Sequence, residues 1–136
     1  MKKLFPIALS VLIAGCISSP KMPDATQFVA LKTEAPPPEL IGLWTGAMGP
    51  YISTIEITET GRGRLCSAYA SWEGVMGVKY SSGQLHNVGF GAADVSINGR
   101  TLVVNPVDDL YPTYQFASDQ ELVEAAGYCK EQLAER

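Results

Sequence analysis

The sequence predicts a mainly β protein: a small antiparallel sandwich or barrel of seven or eight short strands, with one α-helix packed on it at the C-terminus. Three observations indicate this class. From residue 39 onward, short apolar or alternating runs are separated by turn residues. The 136 residues include 13 Gly and 9 Pro, which favour turns over long helices. A helical period begins only after Ser118, near the end of the chain.

The first sixteen residues have the pattern of an export signal. Lys2 and Lys3 give a short positive region, and residues 4–13 follow as an apolar stretch interrupted by Ser10. A membrane-spanning helix needs about 20 apolar residues, so this stretch is too short to be one. It ends in Ile13-Ala14-Gly15-Cys16, which resembles the lipobox of bacterial lipoproteins.

The lipobox resemblance implies a lipid anchor on Cys16. In that family the signal peptide, here residues 1–15, is cut off before the Cys, whose thiol and new amine are then acylated. Ile17 follows the Cys. An Asp at that position would favour the inner membrane, so Ile17 favours the outer membrane. We therefore expect a domain in the periplasm or at the cell surface, attached to the membrane by the lipid on Cys16.

Residues 16–38 are predicted to be the lipidated Cys and a Pro-rich tether, followed by a globular domain over 39–136. The tether ends in three consecutive prolines, which lack a backbone N–H and favour an extended form. It shows no strand or helix period apart from a short apolar island at 28–31. The island leaves a second interpretation open, in which 28–31 add a strand to the domain.

Alternation and turn residues place the strands. Ile55 and Ile57 share one face of a strand, while Thr54, Glu56 and Thr58 lie on the other. The pair Asn98-Gly99 between two apolar runs predicts a hairpin with a type I′ turn. The predicted strands are 40–46, 51–58, 64–70, 75–81, 85–90, 94–97, 100–104 and 114–117.

The C-terminal pattern predicts a helix over residues 119–134. Ser118 would be its N-cap and Glu121 the third residue of a capping box. Several apolar residues then recur on one stripe at helical spacing: Leu122, Ala125, Ala126, Cys129 and Leu133. This stripe should pack on the sheet.

Cys66 and Cys129 remain once Cys16 carries a lipid. Thiols of an exported protein meet an oxidising compartment and usually pair. Cys66 lies on the small-residue face of a predicted strand, and Cys129 lies on the apolar stripe of the predicted helix. The sequence therefore predicts a Cys66–Cys129 disulfide that joins helix to sheet.

Composition and motifs argue against several function classes. The formal net charge of −4 is unlike the basic patch of a nucleic-acid-binding protein. His86 is the single histidine, and no serine motif accompanies it, so we expect no enzyme. We also expect no metal and no cofactor, because the chain has no CxxC, no His pair and no phosphate-binding loop.

Gly42-Leu43-Trp44 on the first strand resembles the Gly-x-Trp signature of lipocalins. This resemblance implies a barrel whose end is closed by the Trp, and a small apolar ligand as cargo. Trp44 and Trp72 are the binding residues that it suggests, with Tyr69 and Phe90 as further lining. The alternative is a small barrel filled by its own side chains. The chain also resembles the short proteobacterial lipoproteins that have a GxW first strand and a Cys in a terminal helix.

Gly77-Val78-Lys79-Tyr80-Ser81 is similar to the loop through which small periplasmic lipoproteins inhibit C-type lysozyme. Met76 stands where that loop has Ser. The resemblance implies an exposed loop with Lys79 and Tyr80 as contact residues.

The sequence thus predicts a non-enzymatic, lipid-anchored binding or interaction module of the outer membrane. Its partner could be an envelope protein. The two alternatives are a carrier of a small apolar ligand and a lysozyme inhibitor. A barrel filled by its own side chains would exclude the carrier, and a buried Lys79 would exclude the inhibitor.

Overall fold

A computed structural model describes residues 25–135 of the chain. The predicted signal peptide, the lipobox with Cys16, and Ile17 lie outside the described residues. Among residues 25–135, no helix is long and apolar enough to span a membrane.

Eight antiparallel strands form a closed barrel, which confirms the predicted fold class and selects the barrel over the sandwich. Each strand pairs with the next in sequence, and β8 pairs with β1 to close the sheet. The strands are β1 (Gly42–Met48), β2 (Tyr51–Ile57), β3 (Arg62–Tyr69), β4 (Trp72–Ser81), β5 (Gln84–Asn87), β6 (Gly91–Asn98), β7 (Thr101–Pro106) and β8 (Tyr114–Ser118). Closure leaves no unpaired edge along the sheet.

The hairpin between β6 and β7 differs from the prediction by one residue. Asn98 pairs with Thr101, so the two loop residues are Gly99 and Arg100. Gly99 has a φ of 64°, while Asn98 and Arg100 have negative φ. The glycine therefore supplies the left-handed residue that the tight turn needs, and Asn98 remains part of the strand.

Alternate residues of each strand face the inside of the barrel and form its main core. Ile55 and Ile57 are on this inner face, as their spacing predicts, together with Leu65 on β3. The other buried members include Leu40, Trp44, Val78, Tyr80, Leu85, Phe90, Ala93, Leu102, Val104 and Phe116.

A second apolar cluster lies on the outer face of β1–β3, where the C-terminal segment covers the barrel. It joins Leu43 and Cys66 to Ala125, Cys129 and Leu133. Cys66 and Cys129 form the predicted disulfide, with Cα atoms 5.7 Å apart. The bond attaches the C-terminal helix to the middle of β3.

The C-terminal helix is shorter than predicted. Helix α2 comprises Gly127–Ala134, and the chain from residue 119 to 126 forms turns instead. The proposed cap at Ser118 is wrong, because the carboxylate of Asp119 accepts hydrogen bonds from the backbone N–H groups of Val123 and Glu124. Leu122 has a φ of 55°, which a continuous helix does not allow.

The described part of the predicted tether lies on the barrel. Helix α1 (Ala25–Ala30) contains most of the apolar island, so the island docks as a helix and not as an added strand. After it, the backbone N–H of Glu34 donates to the carbonyl of Tyr80 at 2.9 Å. The chain passes so close to Gly61 that a side chain there would overlap the Glu34 carbonyl. The short 3₁₀ turn Pro38–Leu40 then leads into β1.

Candidate functional site: the open end of the barrel

The two ends of the barrel differ in how they are closed. The 3₁₀ turn lies at the end where β1 begins, and Leu40 is buried there. The indole Nε1 of Trp44 donates to the carbonyl of Leu40 at 3.0 Å. Trp44 is only 6% exposed and belongs to the main core. This end, which we call the closed end, is therefore filled by the protein's own side chains.

The opposite end holds a cavity of about 490 Å³. It lies among the loops 49–50, 70–71, 88–90 and 107–113, which connect the strands at the end opposite Trp44. We call this the open end. Its volume is in the range of small-molecule binding pockets, about 300–1,000 Å³. The residues that line it include Met48, Tyr51, Leu65, Ser67, Trp72, Met76, Asn87, Phe90, Tyr111 and Tyr114.

Two polar side chains in the inner part of the cavity, Ser67 and Asn87, already have partners within the protein. The hydroxyl of Ser67 is 2.7 Å from that of Ser53, which is buried beside it. The amide of Asn87 donates to the carbonyl of Gly77 and accepts from the N–H of Gly89. Because these groups are satisfied, a ligand need not offer hydrogen bonds to occupy the inner part of the cavity.

Aromatic rings surround the entrance. The ring of Tyr51 makes edge-to-face contacts with Trp72, at 5.2 Å between centroids, and with Tyr69, at 5.8 Å. On the other side, the hydroxyl of Tyr111 donates to the carbonyl of Gly89. Burial raises the pKa of Tyr114, and the neighbouring Tyr111 adds to the rise. The phenol of Tyr114 therefore stays neutral at physiological pH.

No Asp, Glu, His, Lys or Arg of the described chain lines this cavity. A site with apolar and aromatic walls and satisfied polar groups favours a neutral, apolar ligand. An ionised group would lose its hydration there without gaining a counter-charge. The site can thus bind a hydrocarbon chain or a neutral aromatic molecule.

The residues that the lipocalin resemblance suggested as one binding site lie at two different ends of the barrel. Trp72 and Phe90 line the cavity, and Tyr69 lies at its entrance. Trp44 belongs to the closed end and has a structural role. The sequence did not identify Met76, which shares the inner face of β4 with Val78 and Tyr80, or Tyr114, which shares the inner face of β8 with Phe116. A two-residue period in those strands is the signal that would have indicated them.

The predicted lysozyme-binding loop is a strand. Gly77 to Ser81 form the second half of β4, and Tyr80 is buried in the main core. The ammonium of Lys79 donates to the carbonyls of Phe28, Val29 and Leu31, at 2.8, 3.1 and 3.1 Å. It also lies 4.8 Å from the centre of the Phe28 ring. Lys79 holds α1 on the barrel and does not project from a loop.

His86 lies on the outer face of β5, in a cleft beside α1. Gln27, Phe28 and Leu31 line the other side of this cleft, which has a volume of about 330 Å³. No carboxylate or serine of the described chain lines it. Within residues 25–135, no three His, Cys, Asp or Glu side chains are grouped in a way that could hold a metal ion.

Comparison with known families agrees with this architecture. Residues 25–133 match the family model described as "Bacterial lipocalin LPS transport optimiser YedD". The chain belongs to the YedD family. The match includes α1 as well as the whole barrel, and the family's description as a lipocalin agrees with the resemblance seen at Gly42-Leu43-Trp44. Comparison with curated proteins and with solved structures gave no match.

Proposed function

We propose that this member of the YedD family is a lipid-anchored, non-enzymatic lipocalin of the outer membrane, which binds an apolar ligand in the open end of its barrel. The observation that carries the proposal is the cavity of about 490 Å³, which no charged residue within 25–135 lines. The family description, a lipocalin that optimises LPS transport, supports a role for this binding in the delivery of lipopolysaccharide (LPS).

The lining of the cavity suits a ligand with one apolar end and one polar end. Leu65 and Phe90 line it as buried side chains, whereas tyrosine rings surround its entrance. A hydrocarbon chain could place its end against Leu65 and leave a polar head at the tyrosines. Each methylene group removed from water contributes about 0.8 kcal/mol, so a chain of several carbons is enough for binding.

The anchor is proposed from the sequence around Cys16, which resembles a lipobox. The Cys66–Cys129 disulfide supports export, since such bonds persist in oxidising compartments. Ile17 supports the outer membrane as the destination. The proposed partner is an envelope protein, because a transport role places the domain beside other proteins of the pathway.

Binding can be tested with N-phenyl-1-naphthylamine, a neutral dye that fluoresces in apolar surroundings. We expect the mature protein in detergent to bind it in a saturable way, in competition with fatty acids and with the lipid A part of LPS. Met76→Trp should abolish binding, because the indole would occupy the cavity. Val75→Trp is the matched control: Val75 and Met76 are neighbours on β4, each 37% exposed, but Val75 faces outward.

The physiological role needs a second readout. In cells that lack the chain, the amount of LPS at the cell surface should fall, and the Val75→Trp protein should restore it while Met76→Trp should not. Equal dye binding by the two variants would contradict the proposed binding site. Full restoration by a Met76→Trp protein that cannot bind dye would show that transport depends on another surface.

A further inference from the structure

The rim of the open end exposes apolar side chains from three of its four loops. Trp72 and Tyr69 flank the turn between β3 and β4, Val88 lies between β5 and β6, and Val107 and Leu110 lie between β7 and β8. Leu110 is 75% exposed and Trp72 is 50% exposed. Single exposed apolar residues are common, but a group of them around one opening indicates a contact surface. We call these five residues the rim.

The described N-terminal chain, which begins with α1, runs along the barrel towards the closed end. From Leu31 to Glu34 the chain follows β4 towards its last residues, next to the closed end. Helix α1 precedes this stretch and covers the last residue of β5 and the first residues of β6, which are the strand ends that join in the rim loop 88–90. Helix α1 therefore lies nearer the open end than the stretch from Leu31 to Glu34 that follows it.

Lys79 fixes this arrangement. Its three hydrogen bonds to carbonyls at the end of α1 hold the helix on the barrel. Residues 17–24 are all that separates the proposed anchor at Cys16 from α1. A chain of eight residues spans about 16 Å as a random coil and at most about 29 Å when fully extended. Strand β4 has 10 residues and is about 33 Å long, so at the usual tilt of about 40° it spans about 25 Å of the barrel's height. The typical reach of the tether is shorter than this height, which favours an open end near the membrane over one facing away.

Charge indicates which kind of lipid surface the rim can meet. Glu73, Asp108 and Asp109 lie in or next to the open-end loops, whereas no Lys or Arg of the described chain does. An anionic surface would repel this end of the barrel. A neutral, zwitterionic surface would not, and tryptophan and tyrosine rings are suited to the boundary between lipid and water.

From these observations we propose that the rim docks on the membrane that holds the Cys16 lipid, so that the cavity opens directly onto a zwitterionic lipid surface. The proposal rests on the lipid anchor of the proposed function and extends it. An apolar ligand would then pass between bilayer and barrel without crossing water. The rim side chains supply the contact, and the anchor with α1 supplies the orientation.

The two tryptophans of the chain make the orientation measurable. The mature, lipidated protein is reconstituted on phosphatidylcholine vesicles that contain lipids brominated on their acyl chains, which quench nearby tryptophan. We expect strong quenching in the unchanged protein, because Trp72 lies on the rim. The Trp72→Phe protein retains Trp44 in the closed end, so its fluorescence should change little. Replacing part of the phosphatidylcholine by an anionic lipid should reduce the quenching of Trp72.

A pair of surface variants tests the contact itself. Leu110→Asp should reduce the quenching of Trp72, because it adds a charge to the rim. Val123→Asp is the control: Val123 is 66% exposed and lies outside the rim, in the turns that follow β8 at the closed end. Equal effects of the two variants would overturn the proposal, as would equal quenching of the unchanged and Trp72→Phe proteins.

Three further outcomes bear on this proposal, and they distinguish its failure from that of the proposed function. The intact mass of the protein shows whether Cys16 carries lipid; an unlipidated Cys16 would overturn both the anchor and the docking. Dye binding in detergent needs no membrane, so it can succeed while Trp72 remains unquenched, and that result would overturn the docking alone. A dimer in detergent that Leu110→Asp dissociates would mean that a second copy covers the rim, and it would also overturn the docking.

Discussion

Loss of the Cys66–Cys129 disulfide should cost a large part of the stability of the domain. The two residues are 63 positions apart in the sequence. A crosslink that closes a loop of 63 residues lowers the entropy of the unfolded chain by an amount worth about 4 kcal/mol at 25 °C. Small domains have total stabilities of about 5–15 kcal/mol. The oxidised protein should therefore be stable, and the reduced protein close to the limit of folding.

Urea unfolding of the oxidised and the reduced protein measures this difference. With a slope of about 1.5–2 kcal/mol per molar urea, reduction should lower the midpoint by about 2–3 M. A Cys66→Ala/Cys129→Ala protein should resemble the reduced one. Alanine is preferable to serine, because both sites are fully buried and a serine hydroxyl would be left without a hydrogen-bond partner.

The signals used to follow unfolding distinguish two results. Trp44 reports the barrel core, and hydrogen exchange at α2 reports the C-terminal segment. Unfolding at a lower urea concentration by both signals supports the entropic reasoning. Loss of protection at α2 alone, with the Trp44 midpoint unchanged, would refute it, because the bond would then stabilise only the helix that it attaches.

Three further predictions concern single residues and pH. Asp119→Ala should destabilise the protein by about 2–3 kcal/mol in urea unfolding, because the carboxylate accepts from Thr45 at 2.8 Å and from two backbone N–H groups; an unchanged midpoint would contradict this. Trp44→Phe should cost about 1 kcal/mol through the lost bond to Leu40 and leave dye affinity unchanged, and weaker binding would show that the two ends are coupled. Dye affinity should be constant between about pH 5 and pH 8, because burial raises the pKa of Tyr114 and no Asp, Glu, His, Lys or Arg of the described chain lines the cavity. A pH-dependent affinity would indicate a charged group in the cavity.

Local sequence signals were sufficient for the strands and for a mainly β fold, but they left the choice between sandwich and barrel open. Alternation in β2 identified which residues face inward, and the glycine of the Asn98-Gly99 pair identified the hairpin between β6 and β7. The disulfide was also predictable, because only two cysteines remained and each lay on an apolar face. The alternation and the hairpin depend on residues that are neighbours in sequence, and two cysteines can form only one disulfide.

The errors arose where a distant contact outweighs the local pattern. Residues 119–126 have a helical spacing, but they form turns around the carboxylate of Asp119. This carboxylate accepts hydrogen bonds from Thr45 on β1 and from two backbone N–H groups of the turns. The Pro-rich segment before β1 has no strand or helix period, yet it docks because Lys79 binds its carbonyls and Gly61 leaves room for it. Thr45 is far in sequence from Asp119, and Lys79 and Gly61 are far in sequence from the segment that they hold.

The cavity was not predictable for a related reason. A strand pattern shows that Met76 and Tyr114 face inward, but not whether their neighbours fill the space between them. At the closed end the 3₁₀ turn and Trp44 fill the barrel, and at the open end the loops form only an aromatic entrance. Side chains that line the unfilled volume lack van der Waals contacts that would otherwise stabilise the fold. The disulfide and the outer cluster around Cys66 offset that loss on a face away from the cavity, so this fold can leave one end of its barrel unfilled.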